Sequence, residues 1–370
     1  LAFGAWRILN NKELKQTLDL NNSDTRWFGI NAFSSESKKI TEYWVLPKVW
    51  FEKSKDSVYL NIVIDIEKNS KDTCLNSILN VLKKIDTTLN PIEDQAYVNQ
   101  SHVPNKATWI NIVKEAQREI SKNEVQKVVL ARQSTFEFKN KVNPFLLLKK
   151  VQDKDNGVYN FCIKTNQNYS FIGGTPERLF EIKSDKITSD AIAGTLFKPE
   201  GANVMKLRKQ LLSSQKNIGE HQHVVDFIAK KLDAICTHVD VDQNRSLIEL
   251  KFLLHLIMHF EGKLTSGLDW LDAISALHPT PAVGGVPSRA ALAFINQHEP
   301  FDRGWYAGPM GTITKSEAHI VVAIRSGDVI DKKVILAAGA GIVADSDADA
   351  EWDELNAKIN LFTSIFKDSA

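Results

Sequence analysis

Two glutamates near the C-terminal end of the chain could chelate a metal ion. Glu351 and Glu354 are three residues apart in a segment with helical spacing, so they lie on one face of the helix, one turn apart. Residues 337–341 (AAGAG) precede them and contain two glycines, which let a ligand approach the backbone closely. The ordinary alternative is a solvated acidic first turn that interacts with the helix dipole, and the local pattern alone favours it.

A second candidate is the run 220–223 (EHQH) at the start of a predicted amphipathic helix. His221 and His223 are two residues apart and point away from each other on a helix, so they lack the i, i+4 spacing of a zinc-binding pair. Glu220 is the more informative member, because Mg²⁺ prefers carboxylate oxygen. A charged first turn of the helix is again the ordinary alternative.

Lys127 and Glu177 could act as a base and an acid. Glu177 follows residues 173–176 (GGTP) at a junction between two strands, which sets a carboxylate beside exposed backbone, as suits a general acid. A turn with a surface pair of Glu177 and Arg178 is the alternative. Lys127 lies in a predicted strand, where lysines usually face solvent, but its Val and Ala neighbours could instead bury it.

The segment 278–285 (HPTPAVGG) lies between two predicted helices and is rigid in its first half and flexible in its second. Such a sequence is hard to explain as a simple connection. Because loops often carry binding and catalytic groups, we treat this loop as a further candidate for function.

A scaffold must bring these distant segments together. Apolar residues at helical or alternating spacing predict the elements. The predicted helices cover residues 75–85, 109–123, 202–213, 219–235, 268–277, 288–297 and 347–366. The predicted strands cover residues 43–46, 58–66, 127–136, 157–165, 169–172, 178–182, 187–192, 248–254, 305–313, 318–326 and 333–338. Runs of adjacent strands interrupted by helices, without βαβ alternation, predict a largely antiparallel α+β fold.

Composition excludes several classes of protein. The 370 residues include 46 Lys and Arg against 45 Asp and Glu, a balance that argues against a nucleic-acid-binding or anionic-membrane-binding surface. The most apolar run, residues 252–260, is far shorter than the roughly 20 residues that span a bilayer, and the first ten residues contain no signal-peptide core. The three cysteines lack metal-binding spacing and suit a reducing compartment, so we expect a cytoplasmic protein.

Taken together and in this order, the segments resemble the chorismate-utilising enzyme family over roughly residues 105–366. Each match is weak alone, and their specificity lies in the shared order. The matching segments are 127–132 (KVVLAR), 174–179 (GTPERL), 193–195 (AGT), 220–221 (EH), 278–285 (HPTPAVGG), 323–326 (AIRS), and 338–343 (AGAGIV) with 351–352 (EW).

This resemblance implies an architecture. The expected fold is α+β, with two large, packed, mainly antiparallel β-sheets and helices on the outside, like anthranilate synthase component I. Residues 1–370 are expected to form one structural domain, with a variable N-terminal part (1–104) and a chorismate-binding catalytic region (105–370). This expectation replaces the two or three domains that length alone suggests.

Within the resemblance, individual residues separate the branches of the family. Members that add ammonia typically carry Gln where this chain has Lys127, whereas isochorismate and salicylate synthases carry Lys and add water, which needs a base. Ala193 excludes the covalent intermediate that aminodeoxychorismate synthases form with a lysine at that position. Residues 302–309 (DRGWYAGP) look most like isochorismate synthases of the menaquinone type. The expected activity is therefore isochorismate synthase, with no glutamine amidotransferase subunit.

The resemblance also implies roles for single residues. Lys127 would deprotonate a water molecule that attacks C2 of chorismate, and Glu177 would protonate the departing C4 hydroxyl group. Both would need partly buried positions, because burial favours the neutral forms. The implied ligands of Mg²⁺ are Glu220, Glu351 and Glu354. The implied substrate-binding residues are Gly194, Thr195, His278, Tyr306, Arg325, Ala340 and Gly341.

Several alternatives stay open at this point. A salicylate synthase would make isochorismate and then eliminate pyruvate in the same site. An isochorismate synthase could also serve siderophore synthesis instead of menaquinone synthesis. A non-catalytic chorismate-binding protein is a further possibility. The expected partner is chorismate, without nucleic acid or membrane, and the expected state is a monomer or a weak homodimer.

Overall fold

The computed structural model describes residues 2–20, 25–53, 57–64, 70–83, 96–155, 157–199 and 201–368. The ends of two predicted elements, residues 65–66 and 84–85, lie outside these ranges. The helices of the described residues are α1 (Asn11–Leu20), α2 (Lys71–Lys83), α3 (Lys106–Ser121), α4 (Pro144–Lys154), α5 (Val204–Ser213), α6 (Gln215–Ile235), α7 (Trp270–Leu277), α8 (Ser288–His298) and α9 (Ala348–Thr363).

The strands of the same residues belong to two sheets. They are β1 (Ala2–Leu9), β2 (Trp27–Asn31), β3 (Glu42–Lys53), β4 (Val58–Ile62), β5 (Ala96–Val103), β6 (Lys127–Phe138), β7 (Tyr159–Lys164), β8 (Tyr169–Thr175), β9 (Arg178–Lys183), β10 (Lys186–Phe197), β11 (Cys236–Val241), β12 (Ser246–Glu249), β13 (Leu253–Leu264), β14 (Gly285–Val286), β15 (Pro309–Ile313), β16 (Glu317–Val322), β17 (Ser326–Ile330), β18 (Lys333–Ile342) and β19 (Lys367–Asp368).

The larger sheet has the strand order β1-β3-β2-β15-β16-β9-β10-β13-β11, with β4 beside β3 and β12 beside β13. The smaller sheet has the order β19-β5-β6-β18-β17-β8-β7, with β14 beside β6. The described pairs are antiparallel except for β19 with β5. The predicted α+β fold with two large, mainly antiparallel sheets is confirmed.

The helices that matter most for function pack against the strands next to the site. Helix α6 packs against β10 and β13, α9 against β18 and α3, and α8 against β6. Side-chain caps fix where α6 and α9 begin, because Ser214 accepts a hydrogen bond from the Asn217 N–H and Asp347 accepts one from the Ala350 N–H. Within the described residues, no helix has both the length and the apolar character that crossing a bilayer requires.

The described residues among the first 104 pair with later strands of the chain in both sheets, and β5 pairs with β6 in the smaller one. Strand β2 pairs with β15, where Ile30 lies opposite Met310 and Trp27 lies opposite Ile313. Buried side chains from this part, such as Trp27, belong to the same apolar cluster as Leu130 of β6. The division at residue 104 into a variable part and a catalytic region stays a prediction.

Two of the places where the chain changes from one sheet to the other lie next to each other. Between β8 and β9 only Pro176 and Glu177 make the crossing, and residues 323–325 make it between β16 and β17. The backbone of the two crossings is joined by a hydrogen bond from the Gly174 N–H to the Arg325 carbonyl, at 3.1 Å. The prediction of one strand over residues 318–326 is therefore wrong, because Arg325 adopts a left-handed conformation (φ +48°) that turns the chain into the second sheet.

A second predicted strand, residues 248–254, is also wrong. The chain instead forms a tight hairpin between β12 and β13, closed by a hydrogen bond from the Leu250 N–H to the Leu253 carbonyl. Strand β13 then runs for twelve residues through the most apolar part of the sequence, next to β10. A continuous apolar run has no alternation that would reveal where such a hairpin turns.

Candidate active site

A cavity lies beside the two sheet crossings, between the larger and the smaller sheet. Its wall combines apolar side chains, backbone of β18 and a small number of charged groups. The lining residues that carry hydrogen-bonding or charged side chains are Glu177, Thr195, Glu220, His255, Tyr306, Arg325 and Lys358. This mixture of apolar wall and few converging polar groups is typical of a small-molecule site.

Glu177 is a buried acid in the wall of this cavity. It is 4% exposed, and its backbone N–H donates to the Thr175 hydroxyl group while its carbonyl accepts from the Val322 N–H. Burial raises the pKa of Glu177 to about 7, against the lowering effect of Lys127, Lys358 and Arg325 and of a hydrogen bond from Thr280. The carboxyl group is therefore suited to hold a proton near neutral pH. Arg178 pairs instead with Asp190, so the alternative of a surface Glu177–Arg178 turn is wrong.

Lys127 lies at the start of β6 with a side chain that is completely buried. Its Nζ donates to Glu220 Oε1 at 2.9 Å. Gly341 lies against this pair, because a β-carbon there would lie 2.7 Å from Glu220 Oε1 and 2.8 Å from Lys127 Cε and would push these side chains aside. Although burial acts to raise it, the ammonium group of Lys127 holds the pKa of Glu220 below its usual value. The alternative of a solvent-facing Lys127 is wrong.

The loop 278–285 holds the Lys127 strand in place. Its last residue, Gly285, begins β14 and lies opposite Val128 of β6. Gly285 has φ +145°, and a β-carbon there would lie 2.2 Å from the Lys127 carbonyl oxygen, so only glycine fits. The guanidinium of Arg303 donates to the carbonyls of Val129 and Val283 at 2.7 and 2.8 Å and pairs with Glu299, which ties the loop to β6.

Thr195, His255 and Arg325 form a chain of hydrogen bonds at one side of the cavity. Arg325 Nη2 donates to His255 Nε2 at 2.5 Å, because a guanidinium has no acceptor. The imidazole proton must then be on Nδ1, which donates to Thr195 Oγ1 at 3.1 Å. Burial together with Arg325 and Lys358 keeps the pKa of His255 well below its usual value, so the ring is neutral. The Thr195 hydroxyl proton is therefore free to point at a ligand.

A β-bulge aims Thr195 at this position. The register between β10 and β13 shifts between Ala193 and Thr195, so that Gly194 is the extra residue. Gly194 has φ +68°, and a β-carbon there would lie 2.7 Å from the Asn217 carbonyl oxygen. The Thr195 N–H donates to the Asn217 side chain at 3.0 Å, which fixes the bulge against α6.

Helix α6 presents Glu220 to the cavity because its neighbour anchors the helix. His221 is completely buried, and its Nε2 donates to the Ala191 carbonyl of β10 at 3.0 Å. Its Nδ1 accepts from Arg245 Nε at 3.2 Å, and burial lowers the pKa of His221 to about 4. His221 is thus a structural residue that orients α6.

Helix α9 brings two further carboxylates and a lysine. Glu351 is 1% exposed and accepts from the Ser346 hydroxyl group at 2.8 Å and from Lys216 Nζ at 3.0 Å. Glu354 pairs with Lys358 at 2.7 Å, and Lys358 also donates to the Gly339 carbonyl at 2.7 Å. Burial, and then the nearby charge of Glu354, raise the pKa of Glu351. The buried position of Glu351 overturns the alternative of a solvated acidic turn for this residue.

Comparison with known proteins assigns the chain to a family. The model of a family described as chorismate binding enzyme matches residues 4–367. The chain belongs to the chorismate binding enzyme family.

Individual relatives agree with this assignment. The chain is 32% identical over 327 residues to the isochorismate synthase MenF of Haemophilus influenzae, which covers 88% of this chain and 75% of that protein. It is 33% identical over 336 residues to the chloroplastic isochorismate synthase 2 of Arabidopsis thaliana, covering 87% of this chain and 59% of that protein. The solved structure of MenF, the menaquinone-specific isochorismate synthase from Escherichia coli, matches with a TM-score of 0.91 at 26% identity, over 99% of this chain and 85% of that one.

Most of the predicted site residues line the cavity or lie close behind its wall. Glu177, Gly194, Thr195, Glu220, Tyr306 and Arg325 line the cavity. Lys127 and Gly341 lie directly behind Glu220. Glu351 and Glu354 act electrostatically, together with Glu220, on Lys216. The roles of these residues stay predictions.

Besides Gly341, two predicted substrate-binding residues lie behind the lining. The ring of His278 packs edge-on against Phe33 and its Nε2 donates to the Ala307 carbonyl at 2.9 Å. Burial lowers the pKa of His278 to about 4, so the ring is neutral. Ala340 is completely buried within β18, whereas Ala337, Ala338 and Gly339 of the same strand line the cavity.

Sequence analysis missed three residues of the site. His255 is hidden in the apolar run of β13, and Lys216 carries no local signal beyond its place one turn before Glu220. Lys358 could have been found, because on α9 it lies four residues after Glu354 and seven after Glu351, on the same helical face.

The three predicted Mg²⁺ ligands are all carboxylates, but they do not form one tight cluster. Among the described residues, no three His, Cys, Asp or Glu side chains are close enough together to hold a metal ion in common. The donor chemistry nevertheless fits, because Mg²⁺ prefers carboxylate oxygen, keeps several water ligands and needs only one or two carboxylates. Glu351 and Glu354 also repel each other electrostatically, and a bound cation would reduce this repulsion.

Proposed function

We propose that the chain is an isochorismate synthase that converts chorismate to isochorismate, with Lys127 as the base, Glu177 as the acid and Mg²⁺ as the cofactor. The activity agrees with the relatives of the chain. The residue roles rest on one observation: a lysine that could act as a base and a glutamic acid that could act as an acid are both buried in the same site. Lys127 is an amine with no exposed surface, and the pKa of Glu177 is raised by burial to about 7.

The reaction moves a hydroxyl group by an addition and a loss. For this step Lys127 must be in its neutral amine form, which takes a proton from water as the water oxygen bonds to C2 of the ring. The ring double bonds shift, the bond from C4 to its oxygen breaks, and Glu177 gives its proton to the departing hydroxyl group, which leaves as water. One water molecule enters and one leaves, so the product is an isomer of the substrate.

Cationic groups in the wall would hold the two carboxylates of chorismate. Arg325 and Lys358 line the cavity, and a guanidinium pairs well with a carboxylate. The Thr195 hydroxyl proton, left free by the His255 hydrogen bond, is a further donor. Arg325 is 8% exposed, and burial strengthens its attraction for a negative group.

Glu220, Glu351 and Glu354 are the carboxylates that we propose for Mg²⁺, of which the ion needs only one or two, and it would supply positive charge for a carboxylate of the substrate. The protein's own part is to keep these carboxylates ionised and oriented, through α6 and α9 and through the hydrogen bond from Ser346 to Glu351.

Menaquinone synthesis is the pathway that we propose, in a cytoplasmic setting and without a glutamine amidotransferase subunit. A matching solved relative is described as menaquinone-specific. Water as nucleophile makes a source of ammonia unnecessary. A siderophore or salicylate pathway is the second candidate, since a relative from Pseudomonas aeruginosa, 32% identical over 254 residues, is named a salicylate biosynthesis isochorismate synthase. The oligomeric state that we propose is a monomer or a weak homodimer.

The test is a product assay with purified protein, chorismate and Mg²⁺. We expect isochorismate without pyruvate, whereas pyruvate release would identify a salicylate synthase. Lys127→Gln and Glu177→Gln should each lower kcat by at least about 100-fold, as expected for loss of a general base or acid. Lys183→Gln, which alters an exposed lysine of β9, is the matched control. Full activity of Lys127→Gln would refute the proposed base, and chorismate binding without turnover by the wild type would refute the enzyme.

A further inference from the structure

Each of the three glutamates assigned to Mg²⁺ is ion-paired with a lysine. The pairs are Glu220 with Lys127 at 2.9 Å, Glu351 with Lys216 at 3.0 Å, and Glu354 with Lys358 at 2.7 Å. Three negative charges are thus matched by three positive charges that belong to the chain itself. A metal ion that takes these carboxylates therefore meets ammonium groups that are already paired with them and that repel it.

Lys216 can move away from its glutamate more easily than the other two lysines can move away from theirs. Its side chain is 46% exposed, whereas that of Lys127 is completely buried and that of Lys358 is 21% exposed and also bound to the Gly339 carbonyl. Lys216 lies in the first turn of α6, so its long side chain can reach water without any change of backbone.

The partner of Lys216 is the carboxylate that most needs a cation. The Glu351 side chain is only 2% exposed, and it has a second carboxylate, Glu354, nearby. An ionised carboxylate buried without a positive partner is strongly destabilising. The charges of Glu351, Glu354 and Glu220 all act on Lys216, so its ammonium group sits within the field that would attract a divalent cation.

We infer that Lys216 is a tethered counter-ion that occupies the Glu351 carboxylate in the metal-free protein and competes with Mg²⁺ for it. This inference rests on the proposed metal site. The lysine keeps the fold stable before the metal arrives, and it lowers the apparent affinity for Mg²⁺, because only the fraction of molecules with Lys216 displaced can bind the ion.

The test is Mg²⁺ binding measured by isothermal titration calorimetry on protein freed of metal, together with the melting temperature in EDTA. Lys216→Gln should bind Mg²⁺ roughly tenfold more tightly than the wild type, and its metal-free form should melt at a lower temperature. Lys216→Arg keeps the charge and should resemble the wild type in both measurements. Lys106→Gln is the matched control, since Lys106 pairs with Asp349 in the same first turn of α9 but is 51% exposed and away from the cavity.

A second variant locates the effect at Glu351. Adding Glu351→Gln should remove the gain in affinity that Lys216→Gln gives, because the two residues then no longer act on each other. Equal or weaker Mg²⁺ binding by Lys216→Gln than by a wild type that binds the ion would overturn the inference and leave the metal site intact. A wild type that binds no Mg²⁺ would overturn the metal site and the inference together, and the product assay would then judge the activity separately.

Discussion

Replacing Glu177 with glutamine tests whether burial holds this carboxyl group in its protonated form. Glutamine has the same shape and can still accept the Thr280 hydrogen bond, but it never ionises. The pKa of Glu177 is raised from 4.5 to about 7, so its protonated form contributes stability that is present in full below pH 4.5 and is lost as the pH rises through 7.

The size of the change in the free energy of unfolding follows from the raised pKa of Glu177. At about 1.4 kcal/mol per pH unit, ionising the buried carboxyl group costs roughly 3 kcal/mol in total. Between pH 5 and pH 8 the free energy of unfolding of Glu177→Gln should therefore rise, relative to the wild type, by roughly 2 to 3 kcal/mol. Most of that rise should lie between pH 5 and pH 7.

Urea unfolding in EDTA at several pH values measures this difference. Tryptophan fluorescence and far-UV circular dichroism should report the same transition, which is required before a free energy is assigned. Glu181→Gln is the control, because the hydrogen bond from Lys183 lowers the pKa of Glu181, so its difference from the wild type should stay nearly flat between pH 5 and pH 8. A difference for Glu177→Gln that stays flat from pH 5 to pH 8 would refute the buried, protonated acid.

Three further results are expected. Gly285→Ala should destabilise the protein by more than about 1 kcal/mol in thermal melting, because the new β-carbon meets the Lys127 carbonyl. Gly267→Ala is the control and should destabilise it less, because Gly267 also has a positive φ but has open space around it. His255→Phe removes the acceptor of Arg325 and should raise the KM for chorismate about tenfold, as for one lost buried hydrogen bond; an unchanged KM would contradict the hydrogen-bond chain. Chelation of divalent cations should abolish isochorismate formation while the circular dichroism spectrum persists, and added Mg²⁺ should restore it.

The parts of the site that the sequence predicted are those with strong local constraints. Gly285 must be glycine because the chain passes against Lys127, and Gly194 because a bulge needs a left-handed residue. Such constraints leave a pattern of glycine and proline that can be recognised without a structure. The strand from Lys127 was likewise visible from its Val-rich composition.

The parts that the sequence did not predict depend on contacts between distant segments. Strands of the two sheets look alike in sequence, so nothing local shows that the chain changes sheet at Glu177 and Arg325. His255 reads as one polar residue in an apolar strand, and its role comes only from its partners on β10 and after β16. Helix α4 was missed although Asn143 caps it and proline opens it, two signals that do identify a helix start.

The position of Glu177 and Arg325 in the two sheet crossings makes the site sensitive to how the sheets are aligned. The acid and the cationic group that would bind a substrate carboxylate are carried by the segments that connect one sheet to the other, and not by either sheet alone. A small slide of one sheet past the other would change the distance between these two groups while leaving most of the core intact. Substitutions in the core between the sheets, far from the cavity, are thus expected to reduce turnover before they unfold the protein.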